Sequence, residues 1–478
     1  MKNKIHYGLF ALLISLQNFA QVSKKWTLRE CVDYAIANNI SIKQTNLDSK
    51  TAEVEKLAAR GGFLPNINAQ SSHSWNIGLN QNITTGLLEN QTTQFTAAGL
   101  NANVVIYNGL QNINRLRRSN LSILSAQYNL SKIKDDISLN VANSFLQVLF
   151  NKENLKVQRN QLQNNQKQLE RSQQLVAAGA IPRGDLLDLN ATVAANKQSI
   201  VIAENTLFLS KLSLAQLLQL PDFQNFDTVD TDYAVAQSAA MLQTPTAIYE
   251  KAKAERVELK IAKTNLDIAE KDVAIARGAY QPTISGFYGF NTRASDNGRF
   301  VGVEQNTTNP TSVIGFVQGT NQQVLQPNLS PIIGNALPLF TQFDNNKGNN
   351  FGLQLSVPIL NGFSARNAVQ RAKINVERNQ LALSQQELTL ERNVFTAFAD
   401  AKGSLQAYES AIVAQDSRRD AYEYAKERFA VGLLNAFDLN QAQTLFVNAQ
   451  SEVVRTKYDY IFKTKVVEFY FGIPIIQN

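Results

Sequence analysis

The chain repeats itself. "VAAGAIPRGDLLDLN" (residues 176–190) and "FAVGLLNAFDLNQAQ" (429–443) share a glycine, an aspartate six residues on and a leucine after it. Gly179, Asp185 and Leu186 thus match Gly432, Asp438 and Leu439 at an offset of 253. The same offset carries Asn108-Gly109 onto Asn361-Gly362 and Pro221 onto Pro474. Upstream, Arg60-Gly61 and Pro65 match Arg277-Gly278 and Pro282 at an offset of 217, so a difference of 36 residues marks an insertion in the second copy between about 282 and 350. The chain is a tandem duplication with one enlarged loop, and a fold that suits one copy must suit the other.

Each copy carries two kinds of pattern. In "FGLQLSVPI", Phe351, Leu353, Leu355, Val357 and Ile359 fall on one face and Gly352, Gln354 and Ser356 on the other, the period of a strand. The first copy answers with Ala98, Leu100, Ala102, Val104 and Ile106. "LPNINAQSSHSWNIGL" and "QPTISGFYGF" alternate more weakly, with Phe287 out of phase. The expected strands are about 64–80, 95–107, 281–292 and 350–360, of a length that crosses a bilayer at a tilt. Between Gly109 and Gly179 nothing breaks the chain, which allows a helix of about 100 Å at 1.5 Å per residue. Val141, Val148, Leu155, Leu162, Leu169 and Val176 recur every seven residues, and Val394, Ala401, Tyr408, Tyr422 and Phe429 keep that register in the second copy. Such a period implies supercoiled packing. Helical hairpins are expected at 110–219 and 364–473, shorter helices at about 28–60 and 246–278, and a linker at 221–245. The first repeat is 21–245 and the second 246–478.

Residues 1–20 read as a secretory signal peptide, with Lys2 and Lys4 ahead of an apolar run and "NFAQ" as cleavage site. No later run is long and apolar enough for a membrane helix. Cys31 stands alone, so no intrachain disulfide forms, and its flanking "TLRE" does not suit a lipid anchor; a buried thiol near a helix start is the expectation. The net charge of +7 is spread along helix faces among acids and amides, which argues against nucleic-acid binding. The histidines are His6 and His73, and no nucleophile elbow, phosphate loop or metal-ligand spacing occurs. The expectation is a non-enzyme without metal or cofactor.

Four strands per chain cannot close a barrel, and open strand edges in lipid cost several kcal/mol for each unpaired group. Strands that enter a membrane therefore require several chains, and three, giving twelve strands, leave an open conduit where eight do not. At this point the residues become specific. "FLPNI" and "YQPTI" open the first strand of each copy, "LSVPILNGF" closes the second, "AVGLLNAFDLNQAQ" marks a helical tip and "YFGIP" ends the last helix. In order and spacing the chain resembles the TolC family of outer-membrane efflux and secretion channels over nearly all of its mature length.

The resemblance implies an α+β membrane protein: a homotrimeric twelve-stranded β-barrel in outer-membrane lipid, continuous with a periplasmic α-helical barrel. It also implies passive conduction from a periplasmic adaptor and inner-membrane pump to the exterior. By the same resemblance Asp185 and Asp438, with Asp188, stand at a periplasmic gate, and Val431, Gly432 and Leu433, with Gly179, dock the adaptor. The residues alone also allow plain helix ends at these places, a glycine in left-handed conformation followed by a helix-start aspartate. Where the family can carry an arginine and a second aspartate on the second tip, this chain has Leu434 and Gln441. Two other readings remain open: a periplasmic adaptor, which needs one hairpin and a β-domain, and a structural trimeric coiled coil, which needs no strand pairs. The inserted 36 residues are expected to form a solvent-exposed loop on the side of residues 80–94, outside the cell, with "VIGFVQ" folding inward as the alternative.

Overall fold

A computed structural model describes residues 25–81, 86–179, 181–231, 233, 235 and 238–474. The expected signal peptide lies outside these residues. In chain order the first copy supplies β1 (Lys25–Trp26), α1 (Leu28–Asn38), α2 (Ile40–Gly61), β2 (Asn66–Gln81), β3 (Leu88–Asn108), α3 (Gln111–Ala177), α4 (Arg183–Leu218) and β4 (Asp227–Thr228). The second supplies α5 (Pro245–Glu255), α6 (Val257–Gly278), β5 (Thr283–Ser295), β6 (Arg299–Gln305), β7 (Thr311–Phe316), β8 (Gln323–Pro327), β9 (Leu329–Gly334), α7 (Leu339–Asn345), β10 (Gly348–Ser356), α8 (Ser364–Ala430) and α9 (Ala436–Tyr470). These elements separate into a sheet unit (Val54–Ser119 and Glu270–Ile374) and a helical unit (described residues up to Glu53, Asn120–Ala269, and from Asn375 onward).

The sheet unit holds one four-stranded antiparallel sheet in the order β10-β5-β3-β2. The duplication is kept to the residue: Asn66 faces Asn103 in the first copy, and their equivalents Thr283 and Ser356 face each other in the second. Because paired residues share a face, each row across the sheet has one chemistry. Ile67, Ala102, Tyr288 and Phe351 form an apolar row, with Val104, Gly286 and Leu353 beside it. The opposite face carries Asn68, Asn101, Gly289 and Asn350, and next to them Asn66, Asn103, Phe287 and Gly352. Phe287 is out of phase for a steric reason. Its ring covers Gly352, where an added Cβ would stand 3.0 Å from the ring.

Strand limits differ from the sequence reading. β3 starts at Leu88 rather than about 95, since the threonines of "NQTTQF" pair with β2, Thr92 opposite Ile77. β10 ends at Ser356, because Pro358 has no N–H to give a ladder. β5 begins after Pro282 for the same reason. A bulge between Val105 and Tyr107 removes Ile106 from the expected alternation. The insertion is no plain loop. β6 pairs with β9 and β7 with β8, and α7 follows, its Gln342 side chain bonded to the backbone of Ser295 at both N (3.0 Å) and O (2.8 Å). "VIGFVQ" begins within the largely exposed hairpin strand β7.

In the helical unit the two copies build matching cores. Cys31, Ala35, Ile137, Val141, Val148 and Leu214 belong to one cluster, and Ile248, Ala252, Leu390, Val394, Ala401 and Val467, their equivalents, to the other. Phe145, fully buried in the first, contributes about 1.5–3 kcal/mol by its removal from water. The expected helices 28–60 and 246–278 are each broken once. Asn39 interrupts the first, its Nδ2 donating to Leu217 O at 3.2 Å and its Oδ1 accepting from Ser41 N at 2.9 Å. Arg256 interrupts the second at the equivalent place, with both ends of its guanidinium on Glu258 (3.1 and 2.9 Å) and its plane 3.8 Å from the Phe469 ring centroid.

α3 and α8 are both 67 residues long. The expected seam holds as far as Leu155 and then changes character. Leu162, Leu169 and Val176 are half-buried, while Gln161, Asn165 and Ser172 are buried. On α8 the buried positions past Ala401 are Ser404, Ala411 and Ala425 rather than Tyr408, Tyr422 and Phe429. The helical period of 3.6 drifts against a strict seven-residue repeat.

β1 and β4 run parallel, held by charge. Lys152 Nζ meets Asp227 Oδ1 at 2.8 Å and Asp230 Oδ1 at 2.7 Å, Lys211 meets Asp227 at 2.7 Å, and Lys25 meets Asp230 at 2.6 Å. Hydrogen bonds from Lys152 and Lys25 draw the Asp230 carboxyl down to about 2. Burial pushes Asp227 up, but its bonds to Lys152 and Lys211 outweigh that and leave it lowered.

Candidate functional site

The residues singled out by the sequence lie at two helical turns. At the first, α3 ends at Ala177 and Gly179 takes φ +72°, its N–H donating to Val176 O at 3.0 Å. α4 then starts behind Pro182, which supplies no side-chain cap. Asp185 is half-buried in the first helical turn, with its N–H donating to Pro182 O at 3.2 Å, and Asp188 is exposed one turn on. Ala180, the last residue of the first tip motif, lies outside the described residues.

The second turn is more strongly built. Gly432 has φ +77°, its N–H donates to Phe429 O at 3.1 Å, and Leu433 N–H donates to Arg428 O at 2.9 Å, the paired bonds of a Schellman stop. Asn435 caps α9, its side chain accepting from Asp438 N at 2.8 Å. Asp438 is therefore not the cap. It sits in the first turn, where a negative charge complements the helix dipole. Val431, Leu433 and Phe437 project beside Gly432, each at least 65% exposed, and nothing lies within 4 Å of where a Gly432 Cβ would stand.

Among the described residues no ion pair engages Asp185, Asp188 or Asp438, and no group of three or more His, Cys, Asp or Glu is placed to hold a metal. What joins the hairpins is a polar link: Asn440 Nδ2 donates to Thr192 Oγ1 at 3.2 Å, and that hydroxyl donates to Asp188 O at 2.9 Å. Sequence reasoning missed Asn435, Asn440, Thr192 and Phe437. The "NxxD" spacing of Asn435 and Asp438 resembles a capping box and was the available signal for the first; nothing in the sequence alone pairs Asn440 with Thr192.

His73 and Trp75 lie on β2 with ring centroids 4.4 Å apart, and His73 Nδ1 is 2.8 Å from Thr96 Oγ1. Cys31 is fully buried in the first core, and burial pushes its thiol up to about 12.

Known proteins agree with this architecture. The outer membrane protein TolC of Vibrio cholerae is 22% identical over 457 residues, 95% of this chain and 92% of that protein. TolC of Escherichia coli K12 is 21% identical, covering 94% and 82%. Among solved structures, the VceC outer membrane protein of Vibrio cholerae superposes with a TM-score of 0.72 at 13% identity, over 94% of this chain and 97% of that one. The CmeC outer membrane channel of Campylobacter jejuni gives 0.73 at 16% identity, over 94% and 87%. The family described as "Outer membrane efflux protein" matches residues 31–219 and 248–462, one span in each repeat. With most of both repeats matched, the chain belongs to the outer membrane efflux protein family and is an outer-membrane channel protein with long periplasmic helices.

Proposed function

We propose that three copies of this chain close a twelve-stranded barrel and conduct substrate outward from a periplasmic adaptor and an inner-membrane pump. The observation that carries this reading is the four-stranded sheet. One face is apolar and the other is lined by asparagine and glycine, and among the described residues no further strand pairs with the outer side of β2 or β10. Placed in lipid, the apolar face is at home and the edges are not. Joining β10 of one copy to β2 of the next removes every edge, and a closed ring of three leaves an amide-lined lumen.

The hairpin turns form the periplasmic entrance in this reading. Asp185 and Asp438, each present three times around the axis, ring the entrance with carboxylates that favour cations; Asp188 adds a further ring beside the first. Val431, Gly432 and Leu433, with Phe437, offer an apolar surface around a residue without a side chain, which suits close approach by an adaptor helix. Gly179 serves the first turn in the same way, with less apolar surface around it.

The test is assembly and current in one preparation. In detergent the protein should have about three times the chain mass of 53.0 kDa, less the signal segment. In planar bilayers Asp185→Ala with Asp438→Ala should lower cation preference while the trimer persists. A stable monomer in detergent overturns the channel assembly. Unchanged ion selectivity in the double variant reduces the aspartates to helix ends.

A further inference from the structure

β5 outruns its neighbour. β10 begins at Gly348, opposite Asn291, while β5 continues to Ser295 with β3 still beside it, Thr292 facing Ala98 and Ser295 facing Phe95. Among the described residues no strand covers the other side of this last stretch. Side-chain amides from the end of the insertion meet its backbone instead. Gln342 of α7 accepts from Ser295 N at 3.0 Å and donates to Ser295 O at 2.8 Å, and Asn346, just past α7, donates to Arg293 O at 2.8 Å. These bonds take the place of a strand ladder, so α7 closes an edge that β10 leaves open.

Thr292 fixes the side on which α7 lies. Its hydroxyl donates to Phe343 O at 2.7 Å. Thr292 alternates in phase with Tyr288 and Phe290 along β5, so it shares their face of the sheet. That is the apolar face of Ile67, Ala102 and Phe351 rather than the face of asparagine and glycine. Thr292 and Ala294 are buried there, and a cleft is lined by Leu339 and Gln342 on one side and by His73, Thr96 and Ala294 on the other. The remaining surface of α7 is apolar and bare. Leu339 and Phe340 are 41 and 81% exposed, and the half-buried Phe343 meets the Phe340 ring edge-on at 6.4 Å between centroids. Asp344 and Lys347 pair with each other at 2.5 Å, which leaves this segment without net charge.

The level of α7 along the sheet can be worked out. Ile284 is the first residue of β5 on the apolar face, and Ala294 lies 294 − 284 = 10 residues on. At about 3.4 Å per residue and a tilt of about 45° that is a rise of about 24 Å, against an apolar band about 25 Å tall around a membrane barrel. β5 follows α6, a helix of the periplasmic side, so its far end points outward. In the row of Ala294 stand Thr96 and His73, with the exposed Trp75 next along β2, an aromatic residue of the kind that gathers where hydrocarbon meets headgroups.

We infer that α7 is an interfacial membrane helix. It lies against the lipid-facing side of the barrel wall at its outer margin, with Leu339 and Phe340 among the acyl chains of the outer leaflet just below the headgroups. The occupant is lipid because the bare surface of α7 continues the apolar face of the sheet, and its neutrality calls for no anionic headgroup. The end of the insertion is thus part of the membrane-embedded wall rather than of the exterior loop. This placement rests on the reading that sets the apolar face in lipid.

Lipid and aqueous quenching separate the two. Full-length protein with Phe340→Cys, labelled with an environment-sensitive fluorophore, is reconstituted in phosphatidylcholine vesicles; Cys31 is buried and leaves the new thiol as the reactive one. Phe351→Cys, on the apolar row, and Thr320→Cys, in the exposed turn between β7 and β8, give reference positions. Phosphatidylcholine with a nitroxide near the headgroup end of its chain should quench the label at 340 at least threefold more than the label at 320. Iodide on both sides of the bilayer should give the reverse order. A label at 340 as open to iodide as that at 320, with 351 quenched by lipid, overturns the interfacial helix and leaves the lipid-facing sheet standing. A label at 351 open to iodide overturns both. Gln342→Leu, which removes both bonds to Ser295, should at least double iodide quenching at 340; no change overturns the fastening of α7 by that amide.

Discussion

Lys152 holds the β1–β4 pair against the helices, and Lys152→Met tests how much that matters. Its side chain is 14% exposed and reaches Asp227, Asp230 and the carbonyl of Thr228 at 2.8, 2.7 and 2.5 Å. Removing one partner of a fully buried pair costs about 3–5 kcal/mol. Here Asp230 is 57% exposed, and Lys211 and Lys25 stay on the carboxylates, so solvent and the remaining lysines reduce the loss to about 1–3 kcal/mol. The reporter is the Val229 amide, which donates to Trp26 O at 2.9 Å across the strand pair. At 1.4 kcal/mol per tenfold, its hydrogen exchange should accelerate by about 5- to 150-fold, with the cores of α3 and α8 unchanged.

The pH dependence has a definite sign. Asp230 titrates near 2 against 3.8 for the ordinary side chain, and Asp227 is lowered as well. Their contribution is complete above the ordinary carboxylate value and is lost as pH falls through the lowered ones. In the parent protein, protection at Val229 should therefore survive to about pH 4 and fail between there and about 2. In Lys152→Met the failure should begin at higher pH. Equal exchange in parent and variant at neutral pH would refute the claim that this cluster secures the strand pair.

Two further outcomes are expected. Cys31, with its thiol pushed up to about 12 and no exposed surface, should resist maleimide at pH 8 in the folded protein and react on unfolding; Cys31→Val should fold normally, since the equivalent position is Ile248. Asn435→Ala should remove the cap on α9 and destabilise the second turn by about 0.5–2 kcal/mol, seen as faster proteolysis there, while Pro182→Ala at the uncapped first turn should change cleavage less than twofold.

The duplication, the strands and the long hairpins were legible because each leaves a periodic mark. Glycines and alternating apolar residues fix where "LNGF" must turn and which side of β10 is apolar. The breaks at Asn39 and Arg256 left no such mark. Neither residue is a helix breaker by type, and each is held by groups distant in sequence, Leu217 in one case and Phe469 in the other. The hairpins within the insertion were illegible for a different reason. Bulges at Val301 and Ile314 interrupt the alternation, so no run of five residues keeps a strand's period. Positions at the turns were readable as glycine and aspartate, whereas Asn435's part as cap depended on one hydrogen bond, and the Asn440–Thr192 link depended on the approach of helices from separate repeats.

The seam of the first hairpin has a gradient along its length. Near the core it is closed by Val141, Phe145 and Val148; farther along it is closed by Asn165 and Ser172, which are buried without a hydrogen-bond partner for the Asn165 amide or the Ser172 hydroxyl. Parting the oily end exposes hydrocarbon to water and costs free energy with every residue unzipped. Parting the amide end gives those polar groups the partners they lack, so hydration offsets the lost contacts. By this reckoning the base of the hairpin costs more to part than its far end.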